Sequence, residues 1–305
     1  MRKPLGSPLL VLVVALGLTA CAGPAPSPAP PASSGGPSTV LTPPGPPTSA
    51  APTSAAPTSA APTSAAPTSA APTSAAPTSA MSRRCGGPDA ESSVVALGGP
   101  EGQRLAVATV GSGPNVAVLL HQTGRSASCG WWPYAVRLAA AGTRAVLVDL
   151  CGYGRSECDP QMPWSADYPA QVKLVVEAVR TAGAQRVTLL GASMGGAVAA
   201  VSAGPARADA VVVLSSGAGF ATMAVGPALA GLTIPVLGAG SQTEEADTQA
   251  LADAVQASAS PTKRFIRTAV GHGWDMVLDG PLPEAPPTPL GTTVIEWVRG
   301  NTVPG

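Results

Sequence analysis

Near-continuous apolar runs alternate along the chain with segments whose apolar positions recur every three or four residues. The runs are Ser93–Leu97, Arg104–Val110, Asn115–His121, Arg144–Val148, Arg186–Leu190, Ala210–Leu214 and Pro235–Ala239, with the more polar Lys263–Val270 as a final strand. Their length and β-branched content read as eight strands. Helical spacing predicts helices over Trp132–Ala141, Ala170–Ala182, Glu245–Ala257 and Thr292–Arg299, with a small-residue helix starting at Gly196. In Ala170–Ala182 the valines at 172, 175, 176 and 179 fall on one face, and glycines at 142 and 183 close two of the helices. Strands apolar on both faces that alternate with helices predict a mostly parallel eight-stranded sheet covered on both sides, an α/β three-layer sandwich. Functional groups on such a sheet are expected at the carboxyl ends of its strands.

The first 84 residues carry none of this pattern. Arg2 and Lys3 precede an apolar run from Leu9 to Ala20, too short to span a membrane and of the length of a signal-peptide core. Residues 1–20 therefore read as a signal peptide. Its end, Leu18-Thr19-Ala20-Cys21, resembles the lipobox of bacterial lipoproteins. The resemblance implies that Cys21 is lipidated and becomes the new N-terminus, which would anchor the protein on the outer face of the cell membrane. An ordinary signal peptide, cleaved nearby to release a free protein, is the alternative. Residues 21–84 then read as a spacer. Seven Pro-Thr-Ser-Ala units from Pro47 to Ala80 repeat every five residues and offer no side chain worth burying. Fully extended, the spacer would reach about 200 Å at ~3.1 Å per residue, and its hydroxyls are of the kind O-glycosylation uses.

Residues 85–305 remain for the folded domain, about 220 residues and enough for one sizeable core. The formal net charge of the whole chain is zero, and no basic patch or interleaved aromatic stripe points to nucleic acid. Beyond Cys21 there are four cysteines, Cys85, Cys129, Cys151 and Cys158. An even number in an exported domain predicts two disulfides, with three pairings open. Without a C-x-x-C, the spacing does not suggest zinc, and no metal or cofactor is expected.

The segment richest in chemistry is Gly191-Ala192-Ser193-Met194-Gly195, which reads G-x-S-x-G between a predicted strand and a small-residue helix. A serine on so sharp a turn is strained, and small residues two positions either side let neighbouring chain pass close. A serine needs a base to attack at neutral pH, and the chain has two histidines. His272 lies in Gly271-His272-Gly273, past the last predicted strand. His121 ends the third strand, in His121-Gln122-Thr123-Gly124.

These segments, with the loop Asp149-Leu150-Cys151-Gly152-Tyr153-Gly154-Arg155-Ser156, resemble the α/β-hydrolase superfamily over nearly all of residues 93–301. The likeness is closer to compact, capless esterases and dienelactone-hydrolase-like members than to lidded lipases. It implies Ser193 as nucleophile, His272 as base and His121 as a support for the oxyanion loop. The oxyanion hole would use the N–H of Met194 and that of Thr123, with Gln122 as the other candidate where many members carry glycine. Family order places an acid between serine and histidine, after the strand ending near Gly240. The usual spacing lands on Thr243, which cannot serve, so Glu244, then Glu245, then Asp247 are the candidates. Each also reads as a helix N-terminal acid. Asp149 and Asp275 read as structural, and Trp131 and Trp132 either wall an acyl pocket or pack the first helix. A serine in the elbow sets aside the aspartate-nucleophile epoxide hydrolases and dehalogenases.

The sequence thus predicts a tethered, exported serine hydrolase. The expected activity is that of a carboxylesterase on small or short-chain acyl esters, monomeric and without a lid. A non-catalytic envelope lipoprotein that keeps the fold, or a thioesterase or transacylase, stands as the alternative.

Overall fold

The computed structural model describes residues 79–99, 102–159, 167–280 and 285–303. The signal segment, Cys21 and the spacer as far as residue 78 lie outside the described residues. The expected spacer gives way before residue 84. Ser79, in the last repeat unit, caps a helix α1 (Ala80–Cys85) by accepting the Ser82 N–H at 3.0 Å. Met81 in it is fully buried, and Arg84 and Cys85 are bonded to Asp149 and Cys129, so these residues belong to the domain.

The strands follow as β1 (Ser92–Gly98), β2 (Arg104–Val110), β3 (Asn115–Leu120), β4 (Arg144–Val148), β5 (Arg186–Ala192) and β6 (Ala210–Leu214). A two-stranded hairpin of β7 (Gly219–Phe220) and β8 (Met223–Ala224) comes next, then β9 (Val236–Ser241) and β10 (Lys263–Thr268). Between them lie α2 (Trp132–Ala140), α3 (Tyr168–Thr181), α4 (Met194–Ala203), α5 (Val225–Ala230), α6 (Glu245–Ala257) and α7 (Pro289–Arg299). Eight strands form one sheet in the order β1-β2-β4-β3-β5-β6-β9-β10. β1 and β2 run antiparallel to their neighbours, and every pairing from β4 to β10 is parallel.

Alternation along the central strands explains why they read as unbroken apolar runs. In β3, Val116, Val118 and Leu120 enter the core beneath α3, α4, α5 and α6, whereas Ala117 and Leu119 enter the core beneath α2 and α7. Each face is covered, so neither set can be polar. Between β6 and β9 the chain inserts only the hairpin and α5, so no cap domain rises there. Among the described residues no helix is long and apolar enough to cross a membrane.

The cysteines pair as Cys85–Cys129 and Cys151–Cys158. The first ties α1 to the 3₁₀ turn Ala127–Trp131 that follows the β3 loop; the second closes the loop after β4.

Candidate active site

Ser193 stands between β5 and α4 with φ 51° and ψ −117°, a left-handed conformation unfavourable for a side-chain-bearing residue. Two glycines make the turn possible. A Cβ on Gly191 would overlap the Gly195 carbonyl, and one on Gly195 would overlap the carbonyls of Leu120 and His121. The Ser193 N–H donates to the Leu214 carbonyl at 2.7 Å, which fixes the turn to the end of β6. Met194 opens α4, so its N–H has no carbonyl one turn back to bond. Among the described residues the Ser193 hydroxyl has no hydrogen-bond partner; such bonds are often long in ligand-free sites.

His272 follows β10 and directly precedes a 3₁₀ turn over Gly273–Met276. Gly273, at φ 58°, packs against Ala192 and the Gln122 amide, and a Cβ there would collide with both. That contact brings the histidine loop to the residue beside Ser193 and to the loop after β3. The Gly273 N–H donates to Ser215 Oγ at 3.0 Å.

The three candidate acids separate cleanly. Glu244 Oε1 lies 2.6 Å from His272 Nδ1. Glu245 pairs with Arg267 at 2.8 Å, and the carboxylate of Asp247 lies against Gly217. Glu244 is placed by a short 3₁₀ turn, Gln242–Glu244, between β9 and α6. That extra turn explains why the usual spacing from Gly240 falls one residue short. With Nδ1–H donating to the carboxylate, the Nε2 lone pair is free to accept a proton. Asp275 lies in the 3₁₀ turn and donates its N–H to the His272 carbonyl at 3.2 Å. Partial desolvation pushes its carboxyl up, against the opposite pull of His272.

His121 is fully buried. Its Nε2 accepts the Leu150 N–H at 3.2 Å, and its Nδ1 lies 2.8 Å from the Gln122 carbonyl, so Nδ1 carries the proton and donates. Burial lowers its pKa from 6.5, and Tyr153 meets its ring edge-on at 4.9 Å. The ring thus ties the loop after β3 to the loop after β4. Thr123 is exposed on that first loop. Gln122 turns inward, and its Oε1 is buried without a hydrogen-bond partner.

Asp149 is also fully buried. It accepts the Ser128 N–H at 3.1 Å, the Arg155 N–H at 2.9 Å and the Arg84 guanidinium at 2.6 Å. Trp131 and Trp132 are packing residues: both are fully buried, with indole N–H groups on the carbonyls of Leu120 and Pro88. Neither walls an acyl pocket. Among the described residues no His, Cys, Asp or Glu side chains converge as metal ligands would.

A mostly parallel sheet with a strained strand-to-helix serine, and a histidine past its last strand that meets a carboxylate past the strand before it, defines an α/β hydrolase. The chain belongs to that family: the model of the alpha/beta hydrolase family matches residues 117–303. Solved structures agree on the fold. A dienelactone hydrolase from Anabaena variabilis is 18% identical, with a TM-score of 0.54 over 69% of this chain and 98% of its own. An esterase from Exiguobacterium antarcticum is 14% identical, with a TM-score of 0.52 over 68% and 99%. The esterase Pf2001 of Pyrococcus furiosus is 12% identical, with a TM-score of 0.52 over 60% and 82%. No curated protein matches the chain.

Proposed function

We propose that the protein is an exported serine carboxylesterase, lipid-anchored through Cys21, that cleaves small or short-chain acyl esters. The observation that carries this reading is the 2.6 Å contact between His272 and Glu244, on a loop packed beside the strained Ser193. A surface histidine with no task has no need of a carboxylate that fixes its tautomer. The same contact weighs against a fold retained without turnover.

In this mechanism Ser193 Oγ attacks the ester carbonyl carbon while His272 Nε2 takes the hydroxyl proton. Glu244 holds the ring and stabilises the imidazolium that forms. The oxyanion is bound by the N–H groups of Met194 and Thr123. Collapse of the tetrahedral intermediate expels the alcohol, which leaves with the proton from Nε2. Water, deprotonated by the same nitrogen, then attacks the acyl carbon. The second tetrahedral intermediate collapses with cleavage of the Oγ–acyl bond, Nε2 returns its proton to Ser193 Oγ, and the acid departs. The short insertion between β6 and β9 supports an open site, suited to small esters without closure of a lid. The signal-like segment, the lipobox pattern and the repeat spacer support placement outside the membrane on a long tether.

Labelling of the full chain with a fluorophosphonate probe tests the reading. Ser193→Ala should abolish labelling and His272→Ala should reduce it strongly, with the labelled wild type recovered in the membrane fraction. Equal labelling of wild type and Ser193→Ala would sink the proposal.

A further inference from the structure

Four consecutive residues at the end of β6 touch the nucleophile turn, the histidine loop and the elements flanking Glu244. The Leu214 carbonyl receives the Ser193 N–H at 2.7 Å. Ser215 donates its N–H to the Ala239 carbonyl at 2.8 Å, in the strand that leads to Glu244. Its hydroxyl accepts the Gly273 N–H at 3.0 Å and points its own proton toward Met276 Sδ at 3.7 Å. Ser216 packs on the first turn of α4, where a Cβ on Gly196 would meet the Ser216 Cβ at 3.0 Å. Gly217 lies against Asp247, in the first turn of the helix that follows Glu244.

Ser215 is unusual among these. It is 8% exposed and has φ 49°, a conformation that glycine adopts freely and serine does not. Glycine would relieve that strain but would supply no acceptor. The acceptor matters because Gly273 is buried and opens a 3₁₀ turn, so its N–H has no partner within the turn. Without Ser215 Oγ that N–H is left without a bond in the protein interior. The Gly273 nitrogen is bonded to the His272 carbonyl carbon, so the hydrogen bond fixes the backbone two bonds from the histidine Cα.

We propose that Ser215 is a positioning residue that holds the His272 loop in register with both Ser193 and Glu244. The proposal rests on the esterase reading. The strain at Ser215 and its hydrogen bond belong together: the left-handed backbone aims the hydroxyl across to Gly273, while the same residue's N–H stays in the sheet. Side chain and backbone thus link β9, β6 and the histidine loop through one residue.

The test uses the full chain, with Ser215→Ala and Ser215→Gly compared with wild type. Both variants lack the acceptor, but only glycine relieves the strain. Both should lose about ten-fold or more in kcat for p-nitrophenyl acetate, with KM within about two-fold, because sub-ångström displacement of a base acts on the chemical step. A merely structural role would make activity follow thermal stability, with the glycine variant the more active of the two. Imidazole ¹H–¹⁵N spectra give a second readout. The His272 ring should show one narrow set of signals in wild type and a broadened or doubled set in both variants. The buried His121 ring should stay unchanged as the internal control. A kcat within two-fold of wild type in both variants, or an unaltered His272 ring, would overturn the proposal. Should the wild-type chain turn over no ester, the esterase reading falls, and the ring signals still decide the role of Ser215.

Discussion

Replacing Glu244 with glutamine removes one charge and little volume, so its effect can be worked from the geometry. The carboxylate oxygen lies 2.6 Å from Nδ1, and the two side chains are 38% (His272) and 31% (Glu244) exposed. That exposure decides the magnitude. A charge pair at ~4 Å is worth about 1 kcal/mol in water and about 4 kcal/mol at the effective dielectric of ~20 found near protein surfaces. A site one-third open falls between these, at about 2–3 kcal/mol. The imidazolium exists only once the ring has taken the serine proton, so the loss falls on the transition state rather than on substrate binding. The expected result is a fall in kcat of about 30- to 150-fold for p-nitrophenyl acetate, with KM nearly unchanged. Glu245→Gln and Asp247→Asn should each stay within about two-fold, since the structure engages those carboxylates with Arg267 and Gly217. If Glu244→Gln stays within about three-fold of wild type, or either neighbour falls as far, the assignment of the acid is wrong.

Two further predictions concern the frame. His121 has a folded pKa below its ordinary value of 6.5 because it is buried neutral, so below about pH 6.5 the unfolded chain binds the extra proton. Its contribution to stability is complete above that pH and declines by about 1.4 kcal/mol per pH unit as pH falls toward the folded value. In urea melts between pH 7.5 and 5 the wild type should lose stability faster than His121→Asn once pH falls below about 6.5, and parallel curves would refute it. Arg84→Ala leaves the fully buried Asp149 with only its backbone donors. The cost should be about 3–5 kcal/mol in the same melts, partly recovered by adding Asp149→Asn; a cost below about 1 kcal/mol would show that the pair is no structural anchor.

Much of this architecture was legible because it is encoded locally. Apolar runs marked the six inner strands, since a strand covered on both faces has no polar position to confuse it with a loop; the edge strands β1 and β10 are partly exposed and were read from shorter groups of β-branched and aromatic residues. Ser193 and His272 were legible as candidates because the turn needs glycines at fixed offsets and because histidine is scarce. What could not be read depended on tertiary choice. Glu244, Glu245 and Asp247 are the same chemistry within four positions, and only the one-residue 3₁₀ offset after β9 selects the carboxylate that reaches the ring. The short hairpin β7–β8 has two-residue strands, too brief to leave a period. The helix α1 follows directly on the Pro-Thr-Ser-Ala repeat, where composition argues for spacer. Its one signal was Met81, an apolar side chain in a segment otherwise free of them.

Ser215 shows the same limit from another side. Ser215-Ser216-Gly217 carries no titratable side chain, so a reading of the sequence for catalytic groups passes over it. Its role lies in a single hydroxyl that accepts an N–H from a residue 58 positions away, a relation with no period, spacing or charge to betray it. Such contacts are also where the fold and the chemistry meet. The carbonyls of Leu120, His121 and Leu214 touch the nucleophile turn through glycines or a backbone hydrogen bond. The histidine loop reaches that turn through Gly273, and is tied back to β6 by Ser215. The proposed triad is thus held mostly by backbone and small side chains, which suits a domain rich in alanine, glycine and valine. Precision here comes from close approach, and a methyl group at Gly191, Gly195 or Gly273 would disturb the site more than the loss of a surface charge.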